Sequence, residues 1–394
     1  MTNITLFSQI INRLDRHKFR WLVKKHQSDK HQKGINSWTH LVSMLFCHFS
    51  KANSLREITN GLRSATGNLN HLGFMHKTPS KSSLSYINEH REWGLFRDYY
   101  YQLLGVFQEN VNFSAGGSGK FKIKDKKILI LDSTTITLCL SLYNWASYSQ
   151  TKGAIKLHAL LDYDGCLPVY VNITDGKKHD VEIAKHINFP KNSVIVADRG
   201  YLDFEMLKGW DSSGINFVLR LRDDVQYIDM KENPLPEDTD QHILKDERIM
   251  LINKDSRDKY PKQLRRVVVY DIENNQTIVL ITNNFSWTAS TIAELYKQRW
   301  QIEIFFKILK THLKIKSFVG TSRNAVLIQI WTALITMLIL KYLKHLGKYN
   351  WCLSNLIAFL RMNLFVKISL QEWLDEPFKP PEDDIYKQLQ VNLF

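Results

Sequence analysis

Cysteine is scarce in this sequence: Cys47, Cys139, Cys166 and Cys352 lie far apart, with no CxxC or Cys/His spacing. That excludes a disulfide framework and a structural zinc site, and it fits a reducing compartment. The opening stretch, MTNITLFSQIINRLDRHKFR, lacks a long apolar core and a small-residue cleavage site, so no signal peptide is expected. Long apolar runs are few. Ala325 to Leu340, AVLIQIWTALITMLIL, contains Gln329 and two threonines and ends at Lys341, short of the about 20 residues a bilayer span needs. A buried helix is expected there, and no membrane partner. A phosphate loop is missing too. Ser114 to Lys120, SAGGSGK, has Ser114 and Phe121 where a Walker motif requires Gly and Ser or Thr, so it reads as a linker.

Acidic residues are outnumbered, 39 against 53 Lys and Arg, for a net charge of +14. Such a balance suits a protein that neutralises phosphates, although membrane surfaces and other polyanions attract the same charge. With 44% hydrophobic, 23% charged and 12% aromatic residues, neither disorder nor a fibrous repeat is indicated. A chain of 394 residues exceeds one hydrophobic core and predicts two or three domains.

Up to about residue 112 the pattern is helical, with apolar residues at three- and four-residue spacing, as in Phe7, Ile10, Ile11 and Leu14. Arg16, Lys18, Arg20, Lys24, Lys25 and Lys30 are opposed there only by Asp15 and Asp29. A solvated helix face explains such a run; in a chain this basic, DNA contact explains it at least as well. Ser54 to Arg63 and Ser80 to Arg91 read as two short helices, which would offer Lys81, Ser82 and Ser83 to a groove if they form a helix-turn-helix. From Lys127 the periodicity changes to short β-branched runs, and three strands followed by alternating helices and strands predict a mixed α/β sheet. A second β-rich stretch covers about 223–284, and a strong helix begins near Ser290. The predicted division is a helical basic DNA-binding domain at 1–112, a linker at 113–126, a catalytic domain at 127–350 and a C-terminal helical segment and tail at 351–394.

Asp132 and Asp198 each close an apolar strand, ILILD and VIVAD, at the strand ends where open α/β sheets gather ligand groups. One such Asp is usually a turn or cap; two in one sheet favour metal binding. A third acid lies in YKQRWQIEIFFKILK. At ~100° per residue, Tyr296, Arg299, Glu303, Lys307 and Lys310 project within an arc of about 80° on one helix face, with Ile302, Phe305, Phe306 and Leu309 beside them. A salt-bridged surface helix accounts for the charges but not for the aromatics. A carboxylate for an ion, Lys and Arg for phosphate oxygens and an aromatic for a base or sugar account for all of them. Oxygen ligands select Mg²⁺ or Mn²⁺ over zinc, and two such ions would serve both oxygens of a phosphoryl displacement. Water as the attacking group gives strand cleavage; a 3′-hydroxyl gives strand transfer. His179 and Asp180 in GKKHDVEIA are read as an exposed loop residue and a helix N-cap, and Asp162 and Asp164 as turn residues.

LDSTT around Asp132, ADRGY around Asp198 and Y-x2-R-x3-E-x6-K from Tyr296 to Lys310 resemble the three blocks of the IS4 family of bacterial insertion-sequence transposases, of DDE type. The resemblance covers about 127–316, and the basic N-terminal region is similar to the leading domain of one branch of that family. It implies a ribonuclease-H-like core interrupted by a β-rich insertion. Asp132, Asp198 and Glu303 would be catalytic metal ligands, and Tyr296, Arg299, Lys307 and Lys310 would touch transposon-end phosphates. Arg199 and Trp300 would be secondary DNA contacts. Some members are thought to trap a flipped base on an aromatic of the insertion. No Trp lies between Asp211 and Ser286, which leaves Tyr227, Tyr260 or Tyr270 for that part.

The expected partners are double-stranded DNA with terminal inverted repeats, target DNA and a second copy in a synaptic homodimer, in a bacterial, nucleoid-associated cytoplasmic setting. The competing readings are a nuclease of the same core that cuts without joining, and a retired transposase that only binds DNA.

Overall fold

The structure, a computed structural model, describes residues 3–32, 34–65, 70–74, 78–110, 121–146, 153–236 and 240–379. Residues 113–120 of the expected linker and the end of the acidic tail lie outside the described residues.

Six helices come first: α1 (Leu6–Ile11), α2 (Arg16–Lys25), α3 (Ser37–Ser50), α4 (Leu55–Ser64), α5 (Lys81–His90) and α6 (Gly94–Asn110). The first five start where a short polar side chain can satisfy an unpaired first-turn N–H. Thr5, Asp15, Asn36, Ser54 and Ser80 each accept such a bond. The expected helix pair α4 and α5 forms, but residues 65–80 separate the two, with a 3₁₀ turn at Asn70–Leu72. That is not the three- to four-residue turn of a helix-turn-helix.

The sheet elements follow in chain order: β1 (Lys127–Leu138), β2 (Gly153–Asp162), β3 (Leu167–Asp175), α7 (Asp180–Ala184), β4 (Ser193–Ala197), α8 (Phe204–Ser212) and β5 (Asn216–Arg220). Then come β6 (Tyr227–Glu232), β7 (Ile243–Leu251), α9 (Lys254–Lys259), β8 (Leu264–Asp271) and β9 (Gln276–Thr282), and the helices α10 (Ala289–Lys297) and α11 (Trp300–Thr311). The nine strands of the described residues form one sheet in the order β3-β2-β1-β4-β5-β9-β8-β7-β6. The first three pair antiparallel, and β4 and β5 join parallel to β1, which is the expected ribonuclease-H-like mixed sheet. The β-rich insertion extends that sheet: β9 pairs antiparallel with β5.

Side chains alternate across this sheet. Leu129 and Leu131, Ile195 and Ala197, and Phe217 and Leu219 share one core with Leu207 and Trp210 of α8. The alternate residues face the other way, toward α10 against β4 and β5 and α11 against β1. A buried ion pair anchors the approach to α10. Arg265 donates to both carboxylate oxygens of Asp246, at 2.8 and 2.6 Å, and to the Trp287 carbonyl at 2.5 Å.

Three more helices follow among the described residues: α12 (Arg323–Leu346), α13 (Leu353–Asn363) and α14 (Leu370–Asp375). The chain forms two compact units, one of 1–111, 312–320 and 324–394, the other of 112–311 and 321–323. The segment expected to be one catalytic domain, 127–350, is therefore divided in space, because α12 belongs with the N-terminal helices. Its apolar surface runs all round the helix, and such a helix must be buried on every side. Ala325 to Leu340 is buried throughout, as the sequence predicted. Gln329, fully buried, donates to the carbonyls of Lys314 and Ser317 and accepts from the Val319 N–H. His48 on α3 contacts the Leu313 carbonyl and the Thr332 hydroxyl, each at 2.9 Å. All four cysteines are free thiols.

Candidate active site

The parallel pairing of β1 with β4 ends at Leu131 opposite Ala197. Asp132 and Asp198 are the next residue on each strand, so the two carboxylates start from neighbouring positions and face α10 and α11, away from the α8 core. Asp198 comes directly after Ala197, at the C-terminal end of β4 as expected, and leads into a 3₁₀ turn at Arg199–Tyr201. Asp132 does not close β1, which runs on to Leu138 by pairing with β2. What stops after Leu131 is the pairing with β4 alone. The local run ILILD cannot show that one strand edge ends before the other.

Glu303 arrives on α11, but the motif around it does not occupy one helix. Tyr296 lies near the end of α10 and Arg299 in the turn before α11, where Arg299 and Ile302 donate to carbonyls three residues back, Tyr296 and Arg299. This tightened turn corrects the single-face expectation and redirects two of its members inward. The Tyr296 hydroxyl donates to Asp198 Oδ1 at 3.4 Å. The Arg299 guanidinium pairs with Glu303 Oε1 at 2.6 Å and Asp132 Oδ2 at 3.7 Å, with its central carbon 5.6 Å from the Tyr296 ring centroid. Arg299 thus ties the first and third acids of the set together.

The electrostatics are those of crowded acid. Burial pushes the Asp132 carboxyl up to about 7; the charges of Asp198 and Glu303 add to the rise, and the Ser133 N–H and Arg299 oppose it. Burial works against the charge of Arg299 as well, but Tyr296, Glu303 and Asp132 outweigh it and hold its pKa above the ordinary value. Burial first, and then repulsion among the three acids, favours a proton on Asp132, and oxygen donors so placed suit a hard divalent cation, which offsets both better than one arginine. Among the described residues, no three His, Cys, Asp or Glu side chains stand close enough together to ligate an ion as they are. The Arg299 guanidinium lies between two of the three.

The remaining predicted contacts stand at the rim. Lys307 is exposed, Lys310 half-buried and Trp300 58% exposed, while Ile302, Phe305, Phe306 and Leu309 are buried as the helix pattern required. Arg199 is exposed and reaches Asp223 at 3.9 Å. Of the insertion tyrosines, Tyr260 is in the core and so unfit to trap a base, Tyr227 lies under Arg266, and Tyr270 is exposed. Asp162 and Asp164 form a turn, the Asp164 N–H donating to Asp162.

One residue was misread from the sequence. Asp180 is not an N-cap: exposed His179 holds that position without a capping bond, and Asp180 is the first residue of α7. Its carboxylate lies 3.3 Å from Lys156 Nζ and 3.3 Å from His158 Nδ1. The available signal was the two-residue spacing of Lys156 and His158, which puts both on one face of β2.

In the N-terminal unit, α2 buries Phe19 and Leu22 and exposes His17, Lys18, Arg20, Trp21, Lys24 and Lys25. The two acids of this stretch are engaged locally. Asp15 caps α2, and Asp29 binds the Ser37 N–H and Arg91. The exposed face is cationic around one aromatic, with Lys25 paired to Asp98 of α6 at 3.4 Å.

A family model described as transposase DDE domain matches residues 123–339, and a domain of unknown function (DUF4372) matches 2–75. A protein named as a transposase of insertion sequence element IS5377, from Geobacillus stearothermophilus, is 30% identical over 60% of this chain and 62% of its own length. The chain therefore spans a little under two thirds of that relative. A protein named as a transposase of IS4SA, from Synechocystis, is 25% identical over 82% of this chain and 88% of its own. A chain of the piggyBac transposase synaptic complex with hairpin DNA overlaps 97% of this chain and 82% of its own, at 10% identity and a TM-score of 0.39, too loose a likeness to argue from.

Proposed function

The chain belongs to the transposase DDE domain family, and we propose that it is a DNA transposase of the IS4 type that binds insertion-sequence ends, cuts them and joins them to target DNA. The observation that carries this is the placement of Asp132 and Asp198 side by side on neighbouring strands, with Glu303 drawn to Asp132 through Arg299.

Family membership implies a divalent metal. Asp132, Asp198 and Glu303 would hold it, as two Mg²⁺ or Mn²⁺ ions. When bound, such ions supply the positive charge that activates the attacking oxygen and neutralises the leaving one. The chain's own groups do the rest. Tyr296 fixes Asp198. Arg299 balances the acids and, once freed, adds to the cations that grip phosphate. Lys307, Lys310 and Arg199 supply charge for the DNA backbone, and exposed Trp300 offers a face to a base or sugar. The cationic face of α2 supports a role for the N-terminal domain in holding terminal inverted repeats. Two ends held together make a homodimer the natural working form, in a bacterial cytoplasm on nucleoid DNA.

Incubating the protein with a plasmid carrying its own flanking ends, Mg²⁺ and a target plasmid tests this. Cleaved ends joined to target DNA are expected. Cleavage with no joined product would overturn transposition and leave a nuclease; end binding with no cleavage would leave a DNA-binding relic.

A further inference from the structure

Behind the acidic site, on the opposite face of the sheet, lies a second polar cluster that the proposed chemistry does not use. Ser133 follows Asp132 on β1, so its side chain turns to the face where Asp132 does not point. Directly across from it in the register is His158 on β2, and across from His158 is Asn172 on β3. His158 is 1% exposed; its Nε2 lies 3.0 Å from the Thr174 hydroxyl and its Nδ1 3.3 Å from Asp180 Oδ1. Lys156, two residues before His158, reaches the other oxygen of Asp180 at 3.3 Å.

Asp180 is thus the only carboxylate among these residues, placed between a lysine and a histidine, and Ser133 stands on the same face opposite His158 in the register. Burial would raise its pKa, but His158, Ser133 and the Lys156 charge outweigh that and hold it at about 2, so it stays ionised. Tyr201 is 2% exposed; burial above all, with the charges of Asp180, Asp132 and Asp198 adding to it, drives its phenol well above the usual range. Its hydroxyl has no hydrogen-bond partner of good geometry.

The link to the active site is short. The Ser133 N–H donates to Asp132 Oδ1 at 2.7 Å, leaving Oδ2 as the oxygen that faces Arg299. Whatever fixes Ser133 therefore fixes the direction in which Asp132 presents its second oxygen.

We propose that Asp180, braced by Lys156 and His158, is a positioning residue that acts through Ser133 to orient Asp132, and so sets the affinity of the acidic site for its divalent ion. This rests on Asp132 being an ion ligand. Outer-shell partners of metal-binding carboxylates typically change affinity by about 10- to 100-fold when removed, and the hydrogen bond from the Ser133 N–H to Asp132, with Ser133 placed opposite the His158 that reaches Asp180, makes Asp180 such a partner at one remove.

The test uses the full chain with Asp180→Asn and Ser133→Ala, two changes that alter hydrogen bonding with little change in volume. The Mg²⁺ concentration giving half-maximal thermal stabilisation of the DNA-free protein is measured beside the Mg²⁺ midpoint for end cleavage. Both midpoints should rise by about 10-fold or more in Asp180→Asn, with cleavage returning at high Mg²⁺ and the melting temperature in EDTA little changed. Ser133→Ala should move them in the same direction. Unchanged midpoints in a folded variant would overturn the proposal, as would a loss of cleavage that high Mg²⁺ does not restore. If neither variant folds, the cluster is structural and the proposal also fails. A wild-type protein that neither cleaves nor responds to Mg²⁺ would instead sink the reading of the acidic site itself.

Discussion

The guanidinium of Arg299 stands 2.6 Å from the carboxylate of Glu303. A second nitrogen of the same group lies 3.7 Å from Asp132, so one arginine draws on two of the three acids that a metal ion would share. Arginine and metal compete for the same negative charge. Arg299→Ala should lower the melting temperature in EDTA and enlarge the Mg²⁺-induced rise, because the ion then meets acids with no internal counter-charge. A thermal-shift titration checks this; a rise equal to or smaller than that of the wild type would contradict the competition.

The raised pKa of Asp132 makes stability depend on pH in a definite direction. Its folded value of about 7 exceeds the ordinary 3.8, so between those values the folded state holds the proton that the unfolded state has lost. The metal-free protein should lose stability from this group as pH rises from about 4 to 7. Asp180, held at about 2, has the opposite sign: its contribution is present above about 4 and fades only below that, so the two windows do not overlap. Melting curves in EDTA should therefore fall less steeply between pH 5 and 7.5 for Asp132→Asn than for the wild type. An identical slope would show that Asp132 is ionised throughout. Mg²⁺ binding near pH 6.5 should release protons in the wild type and fewer in the variant.

Gln329 joins α12 to the segment before it through three backbone hydrogen bonds and is fully buried. Replacing it with Leu leaves a buried N–H and two carbonyls without their partner, at a cost of at least ~2 kcal/mol. Urea denaturation should report that loss, while the Mg²⁺ midpoint for cleavage stays where it is. An unchanged denaturation midpoint would mean that those backbone groups find other partners.

How much of this was legible in the sequence depended on how local each signal was. Asp198 follows five buried residues of β4, so the strand pattern alone located it. The fate of Ala325 to Leu340 as a buried helix was also legible, since Gln329 and the threonines argued against a bilayer. Its place among the N-terminal helices was not, because nothing in α12 says which surface covers it. The turn at Arg299 was hidden for a different reason: Gln298 and Arg299 are good helix formers, so local propensity gives no sign of the break. Asp180 was misread because its partners, Lys156 and His158, reach it through the β2–β3 hairpin, a pairing no local window contains.

On the proposed function, Asp132, Asp198 and Glu303 together cut DNA. Labelled transposon-end DNA is incubated with Mg²⁺ and the wild type, Asp132→Ala, Asp198→Ala or Glu303→Ala, with end binding measured in parallel by gel shift. Each variant should bind the end nearly as well as the wild type, and cleavage should fall by at least ~10³-fold. Cleavage at the wild-type rate by any one of them would contradict the assignment of that acid to the site.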